Sequence, residues 1–251
     1  MKTAICFSGL PKNLKYSYEN LINNFKHQFE YFDIFAYSPV CDASDDIAQY
    51  FGDYAKQIEV QNESDLPEPP NVNGSLKTGL QKYLAQINGY YIVNQIRKKY
   101  ENKNGVTYDI LVRCRYDIKF ARKLNIPTEE YKNRIVVPEF DNYGGYNDRF
   151  AVGPRDLMEE YFELIEFVYE RGIKRGENAE KVLHAMLKTK SIPVVTEEIF
   201  FNRIRGYNKE QITDTYMTMP ITGLQVETTL RNYTLYPARK IVDRIMSKIY
   251  Q

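Results

Sequence analysis

Tyr108-Asp109-Ile110-Leu111-Val112-Arg113-Cys114-Arg115-Tyr116-Asp117-Ile118-Lys119-Phe120 reads as a buried β-strand that carries charge along one face. Side chains alternate faces along a strand. Ile110, Val112, Cys114, Tyr116 and Ile118 then point one way, and Arg113, Arg115 and Asp117 the other. Unpaired buried charge is costly, so these groups need partners, a metal or a charged ligand. A basic pair followed by a carboxylate can hold a diphosphate and its metal ion. An internal Arg–Asp ion pair that only holds the sheet together explains the same residues equally well.

The segments upstream set the fold class. Thr3 to Phe7 is a short apolar strand, followed by helical spacing at Leu14, Tyr18, Leu21, Ile22 and Phe25. Phe32 to Tyr37 reads as a second strand, Asp45 to Tyr54 as a short helix and Gln57 to Val60 as a third strand. This β-α-β-α-β order predicts an α/β fold with a mostly parallel, Rossmann-like central sheet flanked by helices. Asn62 to Gly74 reads as an exposed loop, idle or a flap. Leu80 to Tyr100 is a long helix with Leu80, Leu84, Ile87 and Tyr91 on its inner face.

Downstream, Ile135 to Val137 is a strand, and Phe140 to Gly153 a loop with an apolar fragment, Phe150-Ala151-Val152. Leu157, Tyr161, Leu164, Ile165 and Val168 repeat the helix pattern behind Pro154. Asn178 to Leu187 is a further helix and Ile192 to Thr196 a strand. With no linker or repeat in view, residues 1–236 are read as one domain. Residues 237–251 form a basic amphipathic helix, in which Lys240, Arg244 and Lys248 make a stripe beside Ile241, Ile245 and Ile249. That helix suits either packing on the protein or peripheral contact with an anionic membrane surface.

Composition removes several classes. The 251 residues carry a formal net charge of +1, so no global field calls for nucleic acid. Cys6, Cys41 and Cys114 are odd in number and far apart, which fits a reducing compartment rather than a disulfide framework. His27 and His184 have no zinc-spaced companions. The chain starts in a strand rather than a basic, apolar leader, and no apolar run spans a bilayer. A cytoplasmic protein is the expectation.

Four further stretches carry candidate chemistry. Ser8-Gly9-Leu10-Pro11-Lys12 ends the first strand, where open α/β sheets bind ligands, or is an ordinary strand-to-helix turn. Neither G-x-G-x-x-G nor G-x-x-x-x-G-K-[ST] occurs, which argues against a dinucleotide dehydrogenase or a P-loop NTPase. In Asp141 to Gly153, Tyr143 and Tyr146 flank two glycines, and Asn147 and Asp148 either bind or act on a hydroxyl or cap the turn. Glu180 opens a helix, where the dipole favours a carboxylate, with His184 one turn on. Arg203 and Arg205 suit phosphate or a solvated face.

Together these motifs resemble a family: small GT-A type glycosyltransferases of bacterial surface-glycan clusters and large DNA viruses. The resemblance rests on Ile5-Cys6-Phe7-Ser8-Gly9-Leu10-Pro11-Lys12, Asp33-Ile34-Phe35-Ala36-Tyr37-Ser38, Tyr108 to Asp117 and Gly144 to Gly153, and covers most of residues 3–205. It implies a nucleotide-sugar donor and a glycan or lipid-linked acceptor, with hexosyl or pentosyl transfer in polysaccharide biosynthesis. It implies donor or phosphate contacts from Ser8, Gly9, Lys12, Arg113, Arg115 and Arg203, and acceptor contacts from Tyr143, Tyr146 and Asn147. It places Asp148 and Glu180 in catalysis: Asp148 takes the acceptor proton if the enzyme inverts, or only orients the sugar if it retains. Asp117 stands where such enzymes bind Mn²⁺ or Mg²⁺ through D-x-D, but Arg115 occupies the first carboxylate position. Either Asp117 holds the metal with the donor phosphates, or Arg113 and Arg115 neutralise the diphosphate directly. Ala179 stands where the family usually has proline before Glu180. A non-catalytic nucleotide- or glycan-binding module on the same scaffold is the alternative.

Overall fold

The opening strand, β1 (Lys2–Ser8), sits inside a seven-stranded sheet, and the chain builds outward from it on both sides. This computed structural model describes residues 1–73, 76, 79–207 and 210–214, with side chains as far as residue 204. Helix α1 (Leu14–Gln28) returns the chain to β2 (Tyr31–Pro39), and α2 (Asp46–Phe51) with the 3₁₀ turn Gly52–Tyr54 returns it to β3 (Ala55–Gln61). Both pairings are parallel, with Ile5 opposite Ile34 and Phe35 opposite Gln57. The long helix α3 (Leu80–Asn104) then carries the chain across β1 to β4 (Ile110–Cys114), which pairs parallel to β1 with Phe7 opposite Cys114.

The quoted charged stretch is therefore not one strand. It leaves the main sheet after Cys114, turns through Arg115-Tyr116-Asp117 and re-enters as β5 (Ile118–Phe120). That strand joins β9 (Phe201–Tyr207) and β10 (Glu210–Asp214) in a separate three-stranded sheet. Tyr116 pulls the chain off course: its ring is buried, stacks on Phe7 with centroids 5.2 Å apart, and its hydroxyl donates to the Tyr37 carbonyl at 3.0 Å.

The remaining elements are α4 (Thr128–Asn133), β6 (Ile135–Pro138), β7 (Phe150–Pro154), α5 (Arg155–Phe162), α6 (Leu164–Arg171), α7 (Ala179–Thr189) and β8 (Val194–Glu197). The apolar fragment 150–152 is thus a strand, β7, antiparallel to β4 and β6. The helical pattern at 157–168 is split into two helices at Glu163. The sheet order is β3-β2-β1-β4-β7-β6-β8, and only β7 runs against its neighbours. This is the mostly parallel, Rossmann-like α/β sheet that the element order predicts.

Strand alternation divides the core in two. Ile5, Phe7, Ile34, Ala36, Ile110, Val112, Cys114 and Val152 pack under α1 and α2, while Ala4, Cys6, Phe35, Leu111, Val137 and Ala151 pack under α3, α5, α6 and α7. The 62–73 loop is tied to the fold at two points: the Gln81 side chain bonds both the amide and the carbonyl of Leu66, and Asn73 N–H donates to Ile173 O at 2.8 Å. No helix among the described residues is long and apolar enough to cross a membrane. The basic stretch 237–251, with Lys240, Arg244 and Lys248, lies outside the described residues.

Candidate active site at the carboxyl edge of the sheet

In an open α/β sheet a ligand crevice forms beyond the carboxyl ends of the strands where the winding reverses. Here that point lies between β1 and β4, since β1 leads toward β2 on one side and α3 delivers β4 on the other. Ser8 and Gly9 leave β1 beside the point where Arg115 leaves β4, because Phe7 lies opposite Cys114. Gly9 has φ +115, a conformation open to glycine, and a Cβ there would meet nothing within 4 Å. Its N–H donates to the Tyr37 carbonyl at 3.3 Å, and the Ser8 hydroxyl is buried without a hydrogen-bond partner. Lys12 is exposed on the turn that follows.

Arg113 points from β4 toward α3 and is 0% exposed. Its Nη2 donates to the Tyr90 hydroxyl at 2.8 Å, while its Nε and Nη1 have no hydrogen-bond partner. The guanidinium carbon lies 4.4 Å from the Tyr90 ring centroid. Tyr90 sits one turn from Gln86, whose amide nitrogen donates to the Tyr90 hydroxyl at 2.7 Å and to Asp148 Oδ2 at 2.7 Å. A face of α3 thereby links the buried cation to a buried carboxylate. Burial pushes the Tyr90 hydroxyl up to about 12, against the opposing charge of Arg113, so it is protonated and able to donate to the Asp148 carbonyl, 3.3 Å away.

Arg115 and Asp117 form a two-bond pair, Nε to Oδ1 and Nη2 to Oδ2, each at 2.7 Å. Burial alone raises a carboxyl. For Asp117 the bonds and charge of Arg115, helped by Arg203 and Arg113, outweigh it and hold the group below its ordinary range. Arg203 comes alongside because β9 pairs with β5, with Ile118 opposite Arg203.

Asp148 lies just ahead of β7, whose antiparallel start faces the end of β4, with Cys114 opposite Phe150. Glu180 reaches the same region from the first turn of α7, which Asn178 caps by accepting from Lys181 N–H at 2.9 Å. Burial first, and the negative charges of Asp148 and Asp141 after it, push the Glu180 carboxyl up to about 7, although Arg149 and a bond from the backbone of Glu180 itself oppose this. Arg149 Nη2 lies 3.6 Å from Glu180 Oε1.

The glycine-rich loop is built to bring these carboxylates together. Asn147 is fully buried; its amide donates to Phe140 O at 2.8 Å and accepts from Arg149 N–H at 2.9 Å. That makes Asn147 a brace within the loop rather than an acceptor contact, since both ends of its amide are used. Tyr146 is wedged edge-on against His184, with centroids 5.0 Å apart, and its N–H donates to Glu180 O at 3.1 Å. Tyr143 is the exposed aromatic of the loop, 38% accessible.

The model of the family described as Domain of unknown function (DUF7796) matches residues 1–250. The chain belongs to the DUF7796 family. A comparison with curated proteins finds no match.

In this DUF7796 chain the structure brings together Ser8, Gly9, Arg113, Arg115, Asp117, Asp148, Glu180 and Arg203, and leaves Lys12 at the periphery. It adds Gln86, Tyr90 and Arg149, which motif reading missed; the i, i+4 spacing of Gln86 and Tyr90 on α3 is the signal that would have found two of them. A divalent cation fits poorly at Asp117. Both carboxylate oxygens are engaged by Arg115, and among the described residues no group of three or more His, Cys, Asp or Glu side chains is arranged to hold a metal.

Gly145 makes the loop's approach possible, since a Cβ there would overlap the Glu180 carbonyl and the Lys181 amide. Gly145→Ala is expected to push the loop off α7 and to destabilise the fold by about 1–3 kcal/mol, the range for overpacking. Urea unfolding of the two proteins measures it, and an unchanged midpoint would contradict the close approach.

Proposed function

We propose that this chain is a glycosyltransferase of GT-A type. It moves a sugar from a nucleoside-diphosphate donor to a hydroxyl of a glycan or lipid-linked acceptor. The observation that carries the reading is the meeting, at the β1–β4 switch point, of an open glycine backbone, an arginine cluster and the buried carboxylates of Asp148 and Glu180. Cations suit the side where a diphosphate departs, and carboxylates the side where a hydroxyl attacks.

In the reaction, the bond between the anomeric carbon and the β-phosphate oxygen breaks, and its electron pair leaves with the diphosphate. The acceptor oxygen forms the new bond to the anomeric carbon and gives its proton to the Asp148–Glu180 pair. The proton belongs to the pair, because two interacting carboxylates titrate together. A basic group with a pKa near the working pH is the most effective one, and burial and the neighbouring charge give Glu180 that property. Arg113 and Arg115 stabilise the charge that develops on the leaving diphosphate. Tyr143, exposed at the rim, offers a ring on which a sugar can stack.

The test is release of nucleoside diphosphate from UDP-, GDP- and dTDP-sugars between pH 5 and 9, with glycan acceptors. One donor class is expected to turn over, with a rate that rises with pH through about 7 as Glu180 loses its proton. Glu180→Gln should remove that limb. No release from any donor, with the protein folded, would sink the reading.

The same shift has a consequence for stability. A carboxyl raised in the folded state holds its proton where the unfolded chain has lost it. The stabilisation is complete below the ordinary glutamate range and disappears as pH climbs to about 7. Glu180→Gln should flatten this fall, as measured by melting temperature against pH.

A further inference from the structure

The Arg115–Asp117 pair has a geometry that says which part of the arginine is left to work. A guanidinium carries five N–H donors in a planar fork. Asp117 takes one from Nε and one from Nη2, which leaves three, two on Nη1 and one on Nη2. Among the described residues Nη1 makes no hydrogen bond, and the Arg115 side chain as a whole is 26% exposed, which leaves the donors of this outer edge available to a ligand. The outer edge is the one whose spacing matches two phosphate oxygens. Two residues earlier, on β4, Arg113 is completely buried with Nε and Nη1 unpartnered. A buried charge is poorly screened, so its field acts on whatever enters the crevice.

We infer that Asp117 is a positioning residue rather than a metal ligand. It grips the inner edge of Arg115 so that the outer edge receives the diphosphate of a nucleoside diphosphate, without a divalent cation. This rests on the donor class proposed above and replaces the metal with two guanidinium groups. Asp117 is suited to the part because it stays ionised: the arginines around it hold its carboxyl low. A lysine at 115 would keep the charge but lose the fork.

The experiment is thermal unfolding of the full chain with UDP, GDP, CDP and dTDP, and with the matching monophosphates, in EDTA and in Mn²⁺. A ligand that binds the folded state raises the melting temperature by mass action. One diphosphate is expected to raise it in EDTA, more than its monophosphate does, and Mn²⁺ should add nothing. Arg115→Lys should weaken that diphosphate roughly tenfold, one charge-assisted bond's worth, and leave the monophosphate unchanged. Asp117→Asn, which keeps a single acceptor for Arg115, should weaken it several-fold, with the same selectivity for diphosphate.

A shift seen only with Mn²⁺ and abolished in Asp117→Asn would overturn the inference while leaving the transferase reading intact. Equal binding by wild type and Arg115→Lys would also overturn it. No shift with any diphosphate, with or without Mn²⁺, would overturn both.

Discussion

Asp148→Asn is expected to slow sugar transfer by about 10²–10⁴-fold, the usual worth of a positioned proton acceptor. The amide keeps the shape of the side chain, and its oxygen can still accept from Gln86, which now holds Asp148 Oδ2 at 2.7 Å. The loop should therefore stay folded, and the loss belongs to charge rather than to collapse. A second signature follows. The negative charge of Asp148 is, after burial, the next largest cause of the raised Glu180 carboxyl. Removing it should move the residual pH limb to lower pH. Nucleoside diphosphate binding should be little changed, because the diphosphate is met by Arg113 and Arg115 and not by Asp148 itself. Steady-state transfer against pH, together with diphosphate affinity, measures all three. A variant with wild-type turnover would remove Asp148 from the chemistry.

The largest loss of stability is expected far from this site. Arg97 on α3 is 0% exposed and is held by Glu101, by Glu159 at 2.8 Å and by the Asn94 side-chain oxygen at 2.7 Å. Arg155 closes the network, reaching Glu101 at 2.7 Å and Glu159 at 3.1 Å, and Glu101 also accepts from the Tyr108 amide at 3.0 Å. The network therefore fixes the chain just ahead of β4. Removing one partner of a buried ion pair leaves its counter-charge uncompensated, which costs about 3–5 kcal/mol. Arg97→Met should lower stability by that amount in denaturant unfolding. Glu101 keeps its bonds from Arg155, so the coupling is read from a cycle: Arg97→Met combined with Glu101→Gln should cost less than the sum of the two single changes. A loss below about 1 kcal/mol would place the network in the exposed class.

The sequence shows the sheet more readily than the site. Alternation in β4 separates Ile110, Val112 and Cys114 from Arg113, and the two cores divide along that line. Local spacing cannot show where the chain quits a sheet, and so Arg115 and Asp117 read as strand when they form a turn. Their pairing is visible only once Tyr116 is seen buried on Phe7. The inner face of α3 is read from Leu80, Leu84, Ile87 and Tyr91; the first three are buried and Tyr91 is only half-buried, while Tyr90, Asn94, Arg97 and Glu101 are buried as well. Polar residues on a buried face break the apolar period, so neither the link from Arg113 to Asp148 nor the ion network is legible without the partners across the core. The proximity of Asp148 and Glu180 depends on the antiparallel entry of β7 and on Gly145 meeting α7, both long-range features.

A crystal structure of the chain with the nucleoside diphosphate that stabilises it most would test the donor site directly. The diphosphate is expected between the Gly9 backbone and the outer edge of Arg115, with Asp117 still bonded to the inner edge and Asp148 facing the place of the transferred sugar. A nucleotide bound away from the β1–β4 crevice, or a diphosphate reached only by residues outside this cluster, would contradict it.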